Sequence, residues 1–165
     1  MSITGKVWKY GDDINTDVIF AGKYTYTITD EQEMAKHAME DLDPDFAKNV
    51  QKGDIIVAGT NFGCGSSREQ AATCLKVAGI SAIIAKSFSR IFFRNAVNSG
   101  LPLIQCPECI NEISKDDLIE IDFEKGIINK KTGPAKSFSF PPLPESVLGI
   151  LQEGGLIPYL KKKYK

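Results

Sequence analysis

The sequence predicts an α/β fold: a mixed sheet with a central βαβ unit, followed by a β-rich C-terminal part from about residue 110. Three observations predict it. Two short apolar runs, Asp54-Ile55-Ile56-Val57-Ala58-Gly59 and Ile80-Ser81-Ala82-Ile83-Ile84-Ala85, have the length and composition of buried strands. Between them Ala71, Leu75 and Ala78 share one face of a helix expected over 67–78, with Gly79 as its stop. A strand, a helix and a strand in that order make a parallel pair joined by a crossover. Beyond residue 110 the pattern changes to strand-like alternation, in Leu118-Ile119-Glu120-Ile121-Asp122-Phe123 and Ser137-Phe138-Ser139-Phe140, with turns at Glu124-Lys125-Gly126 and Lys131-Thr132-Gly133.

The other elements follow in order. Lys6–Tyr10 reads as a first strand and Gly11–Asp17 as a polar turn. Val18-Ile19-Phe20 is a brief apolar run, and Tyr24-Thr25-Tyr26-Thr27 reads as an exposed loop. Thr29 or Asp30 can cap a helix running to about Met39, with acids in its first turn. A break at Asp41–Pro44 and one helical turn at 44–48 lead to the second strand. After the βαβ unit, Ser87–Val97 is expected as a helix stopping near Gly100, and Leu101–Ile104 as a short strand. Pro141-Pro142-Leu143-Pro144 introduces a last helix closed by Gly154-Gly155, and Lys161-Lys162-Lys163-Tyr164-Lys165 reads as a solvated end.

At 165 residues the simplest organisation is one domain spanning 1–165, long enough to bury a sizeable core. Twenty basic and twenty-one acidic residues give a net charge of -1, which offers no general attraction to nucleic acid or membrane surfaces. No apolar run approaches the roughly 20 residues of a membrane span, and the first residues lack the apolar region of a signal peptide. A cytoplasmic protein is expected.

The chemistry concentrates in Asn61-Phe62-Gly63-Cys64-Gly65-Ser66-Ser67-Arg68-Glu69-Gln70, the stretch joining strand to helix. Ser66 with Glu69, and Ser67 with Gln70, have capping-box spacing. A glycine-rich corner at a helix N-terminus suits an anion. Arg68 in the first turn of that helix opposes the dipole, but it makes sense facing a carboxylate or phosphate that its fork can grip. A plain βα turn with a good cap has the same pattern.

This stretch resembles the signature of the swivelling domain of the aconitase superfamily. Asn15-Thr16-Asp17-Val18-Ile19 and Ser87-Phe88-Ser89-Arg90-Ile91-Phe92-Phe93-Arg94-Asn95 resemble two further signatures, in the family's order and covering most of the chain. A separate chain of this length is similar to the small subunits of the superfamily's two-chain hydro-lyases, of isopropylmalate, dimethylmalate and homoaconitate type, and most to the short isopropylmalate form. The resemblance implies a three-layer β/β/α swivelling fold and a large partner subunit carrying a [4Fe–4S] cluster with one open iron. It implies removal of water from a small dicarboxylic hydroxy acid and re-addition at the neighbouring carbon, a step of leucine biosynthesis. In that scheme Ser66 is the base, Ser67 and Arg68 bind substrate carboxylate, and Asp17 supports the site, flanked by Thr16, Asn61 and Gly65. Tyr26 and Thr27 lie in the loop that meets the substrate's variable arm. Relatives acting on tricarboxylates resemble Tyr-Leu-Arg-Thr there. Tyr26 replaces the arginine, which favours an apolar substituent over a third carboxylate.

The residues by themselves add one requirement. Eliminating water needs a base for a carbon-bound proton and an electrophile for the hydroxide. Serine is a usable base only where donors stabilise its alkoxide. The sequence offers no thiolates at cluster spacing, so no cofactor is expected on this chain and the electrophile is expected from a partner. Two other classes remain open at this point: a non-catalytic anion-binding module, and a redox or zinc protein using Cys106-Pro107-Glu108-Cys109. His37, the single histidine, reads as a surface residue.

Overall fold

A computed structural model describes residues 1–165. Its frame is one seven-stranded sheet. The strands are β1 (Ser2–Lys9), β2 (Ile55–Ala58), β3 (Ala82–Ala85), β4 (Leu103–Gln105), β5 (Leu118–Asp122), β6 (Ile127–Lys130) and β7 (Lys136–Ser139), in the spatial order β4-β3-β2-β1-β5-β6-β7. The half β4-β3-β2-β1 is parallel and the half β1-β5-β6-β7 antiparallel. Strand β1 belongs to both: residues 2–6 pair with β5 and residues 7–9 with β2. This double pairing explains why it begins at Ser2, four residues before the apolar pattern starts.

Strands β2 and β3 are buried on both sides, which is why they read as continuous apolar runs. Alternation sends Ile56, Ala58, Ile83 and Ala85 into one core and Ile55, Val57, Ala82 and Ile84 into another. The first core is covered by helices, among them α4 (Glu69–Ala78) and α5 (Arg90–Asn98), which contribute Ala71, Leu75, Phe92 and Ala96. The second is covered by the antiparallel half, through Ile119, Ile121, Ile128 and Phe138. Helices, parallel strands and curled-over antiparallel strands thus form three layers. The inner edge is pinned by Trp8, whose indole N–H donates to the buried Asp54 carboxylate at 2.9 Å, with the Gln51 N–H on the same oxygen at 2.9 Å. Trp8→Phe leaves that carboxylate one donor short in a dry place. It should lower the unfolding free energy of the full chain by about 1–3 kcal/mol in urea titrations, with the slope unchanged.

Several boundaries differ from the sequence expectation, each for a tertiary reason. The helix expected from residue 67 starts at Glu69. No side chain caps it, and the residue ahead of it, Arg68, is extended (φ -140°, ψ 116°). The capping boxes of Ser66 and Ser67 do not form, because residues 66–68 are held against another loop. The helix expected from Ser87 starts at Arg90. Residues 87–89 are extended, with a parallel bridge between Phe62 and Phe88, and Ser89 caps α5 by accepting the Phe92 N–H at 3.2 Å. The run 18–20 overlaps a single turn, α1 (Thr16–Ile19), capped by Asn15. Helix α2 (Glu31–Lys36) stops short of Met39, and α3 (Phe46–Asn49) is one turn. Cys106 and Cys109 are themselves buried, one just ahead of and one on a largely exposed 3-10 turn, Pro107–Glu112. Helix α6 (Glu145–Gln152) is as expected but is not the last, and the basic end, solvated as expected, is helical. It continues as α7 (Leu156–Lys163), with Lys161, Lys162 and Lys163 in the last turn, where the dipole favours cations.

Candidate active site

The three sequence signatures meet at one place. The loop after β2 runs between the loop ahead of α1 and the extended segment ahead of α5. On one side the Gly63 N–H donates to the Ile14 carbonyl at 2.8 Å and the Thr16 N–H to the Cys64 carbonyl at 2.8 Å. On the other the Phe62 N–H donates to Ser87 O and the Ser89 N–H to Phe62 O, both at 3.0 Å, and the Ser89 hydroxyl donates to Gly63 O at 3.0 Å. Asn61, in the left-handed region at φ 59°, donates its N–H to the Ser87 hydroxyl at 2.8 Å and its side-chain amide to Asp13 at 3.3 Å.

Two glycines let the loops approach this closely. A Cβ on Gly63 would lie 2.2 Å from the Phe92 ring, and one on Gly65 would lie 2.6 Å from the Asn15 side chain. Past Gly65 the chain forms a short ledge, Ser66-Ser67-Arg68. Both serine side chains are on exposed residues, and the ledge borders a small concavity shared with Thr16, Ile91 and Asn95. The buried Thr16 hydroxyl donates to the Ser66 carbonyl at 2.7 Å and so fixes the backbone beneath the hydroxyl.

Arg68 is anchored at one nitrogen. Its Nη1 donates to Asp17 Oδ1 at 2.8 Å and to the Phe20 carbonyl at 3.0 Å. Asp17 Oδ1 also accepts the Gly22 N–H at 2.8 Å. The Arg68 side chain is 18% exposed and the Asp17 side chain 62%. Donation from Arg68, and then from Gly22, holds the Asp17 carboxyl below its ordinary value. Asp17 therefore contributes in full above the unfolded-chain value of about 3.9, and this contribution fades as the pH falls through the lower folded value. In NMR titrations the Asp17 carboxyl should show a midpoint below that of a free aspartate, and Arg68→Gln should move it upward. A midpoint indifferent to Arg68 would mean that the pair is not formed in solution.

Of the residues expected at the site, Thr16, Asp17, Gly65, Ser66, Ser67 and Arg68 are brought together. Asn61 stands behind them as a backbone brace. Tyr26 and Thr27 do not join them through any hydrogen bond: Tyr26 is 94% exposed, and the Thr27 hydroxyl donates to Lys23 O at 3.3 Å. Asn15 and Ser87 carry structural roles that the motif pattern alone did not single out. Asn15 caps α1 through the Asp17 N–H at 2.8 Å, and an Asn ahead of Thr-Asp is the signal for it.

No three His, Cys, Asp or Glu side chains converge as a metal-ligand set. All four cysteines are free thiols. Burial pushes the thiols of Cys74, Cys106 and Cys109 upward, away from the thiolate that redox or metal chemistry needs. His37 is half-buried and hydrogen-bonded, not the surface residue expected. No helix is long and apolar enough to cross a membrane.

Fold and site together define an aconitase-type domain. Residues 11–108 match the aconitase C-terminal domain family. Over 160 residues the chain is 54% identical to the 3-isopropylmalate dehydratase small subunit 1 of Thermotoga maritima, covering 97% of this chain and 95% of that protein. It is 50% identical over 164 residues to the 3-isopropylmalate dehydratase small subunit of Heliobacterium modesticaldum, covering 99% and 97%. A crystal structure of 3-isopropylmalate dehydratase from Methanocaldococcus jannaschii superposes with a TM-score of 0.92 at 47% identity, over 99% of this chain and 96% of that one. The chain belongs to the aconitase C-terminal domain family, among the 3-isopropylmalate dehydratase small subunits.

Proposed function

We propose that this chain is the small subunit of a heteromeric hydro-lyase that interconverts 2-isopropylmalate and 3-isopropylmalate by dehydration and rehydration, and that it works with a large subunit in cytoplasmic leucine biosynthesis. The single observation that carries the reading is the ledge: two exposed hydroxyls beside a guanidinium that one carboxylate and one carbonyl hold in place. The near-full-length relatives supply the substrate class.

In this reading residues 1–165 act as one swivelling domain. Ser66 takes the proton from the carbon next to a substrate carboxylate as hydroxide leaves the neighbouring carbon and the double bond forms. Reversal from the other carbon gives the isomer. Ser67 and the unanchored nitrogens of Arg68 hold a substrate carboxylate, and the positive charge lowers the cost of a Ser66 alkoxide. Asp17 orients Arg68, Thr16 fixes the Ser66 backbone, and Gly65 and Asn61 keep the loop in register. Tyr26 and Thr27 face the substrate's alkyl arm once a partner covers them. The electrophile for the hydroxide is a Lewis acid on the large subunit, for which a [4Fe–4S] cluster with an open iron is the expected group.

Co-expression with the large subunit tests this. The assembled pair should dehydrate isopropylmalate in preference to dimethylmalate, citramalate and homocitrate, and neither chain alone should turn over. A preference for another acid would reassign the substrate, and turnover by the isolated chain would remove the two-chain mechanism.

A further inference from the structure

The segment that carries Tyr26 and Thr27 is tied to the rest of the chain by a contact outside the ledge. The Tyr24 hydroxyl donates to Glu40 Oε1 at 3.0 Å, and His37 Nδ1 lies 2.6 Å from Glu40 Oε2. The Tyr24 and His37 rings stack, with centroids 4.2 Å apart. Glu40 is itself rigidly placed. The preceding residue, the fully buried Met39, has φ 60° and donates its N–H to the Ile19 carbonyl at 2.8 Å. A bulky side chain in the left-handed region persists only where the surroundings enforce it, and here it aims Glu40 back at the loop.

Burial alone would raise the Glu40 carboxyl, but the hydrogen bonds from His37 and Tyr24 outweigh it and keep the group below its ordinary value. An ionised carboxylate only accepts, so His37 carries its proton on Nδ1. The charged neighbour on the loop side is Lys23, whose ammonium sits 5.1 Å from the Tyr24 ring centroid. Two further ties hold the same segment: the Gly22 N–H to Asp17 at 2.8 Å, and the Gln70 side-chain amide to Thr25 O at 3.2 Å. Gln70 lies two residues beyond Arg68. The segment is therefore suspended between the ledge and the Tyr24–Glu40–His37 contact, with Tyr26 at its open tip.

We propose that Tyr24, Glu40 and His37 form a positioning unit that sets the Thr25–Thr27 segment and thereby decides which alkyl arm of the substrate is accepted. The proposal rests on the function stated above. None of the three touches the ledge, so their effect should fall on recognition and not on the proton transfer.

The test uses the assembled two-subunit enzyme and two variants, Tyr24→Phe and Glu40→Ala. Each should leave kcat within about twofold, raise KM for isopropylmalate, and cut the preference for isopropylmalate over dimethylmalate by roughly tenfold, the scale of a misfitted alkyl pocket. The double variant should do no more harm than the worse single one, because both remove the same contact. Equal losses on both acids, or additive effects, would overturn the unit. A second measurement is independent of catalysis: in the isolated full chain, amide hydrogen exchange at Thr25–Ile28 should quicken about tenfold in Tyr24→Phe while α4 is unchanged. Unaltered exchange there would also overturn it. An inactive native pair would instead reject the assigned reaction and leave the exchange result to decide the positioning.

Discussion

Ser66→Ala should assemble with the large subunit as the native chain does and turn over isopropylmalate about 10²–10⁴-fold more slowly, the usual worth of a positioned general base. The hydroxyl makes no hydrogen bond that holds the fold. The Ser66 backbone carbonyl, which accepts from Thr16, is kept in the variant. Its unfolding midpoint should therefore stay with the native one, and KM should change little because Ser67 and Arg68 remain. Measured kcat, KM and thermal midpoint separate this from misfolding. Native kcat in the variant would strip residue 66 of the role of base.

Gly63→Ala should cost the most stability of any substitution at the site. The position lies at φ 82°, where an L side chain is strained by about 1–2 kcal/mol. The added methyl would sit 2.2 Å from Cγ and 2.4 Å from Cβ of Phe92, a side chain that is itself almost fully buried. Overpacking of that kind adds about 1–3 kcal/mol. The backbone cannot retreat without releasing its hydrogen bonds to Ile14 and from Ser89. A total of roughly 2–5 kcal/mol lowers the melting temperature of a chain this size by about 5–20 °C. Gly133→Ala separates the two causes, since it keeps a positive φ of 63° but meets nothing nearer than 4.0 Å. It should show only the smaller backbone part.

Much of this architecture was legible where a residue's role is local. Within the runs 54–59 and 80–85, the stretches 55–58 and 82–85 read as strands because both faces are covered, so no polar residue interrupts them. The Asn-Thr-Asp and Ser-Ser-Arg signatures named the residues that the fold brings together, although 51 residues separate Asp17 from Arg68. What escaped depends on partners far along the chain. Ser66 and Ser67 have ideal spacing for capping, but Thr16 holds the Ser66 carbonyl while Asp17 and Phe20 hold Arg68, which is extended. Capping is worth about 1 kcal/mol, and several long-range bonds exceed it. His37 looked like a surface residue because nothing local reveals that Tyr24 stacks on it. The basic end carries no local helix signal, and the exposed pair of Lys162 with Glu153 at 2.7 Å joins residues nine apart. Tyr26 is solvent-facing on this chain, so the recognition role proposed for it would need a surface from another subunit.

The ties around Ser66 have a kinetic corollary. Ile14, Thr16, Asp17, Gly63 and Ser89 are drawn from three stretches of chain, and no stretch holds the geometry by itself. Closing such loops costs entropy before the first bond rewards it. During synthesis the corner around Ser66 should stay shapeless until the helix after Ser89 has left the ribosome. A peptide cut to residues 55–78 would carry the longest signature and none of its form.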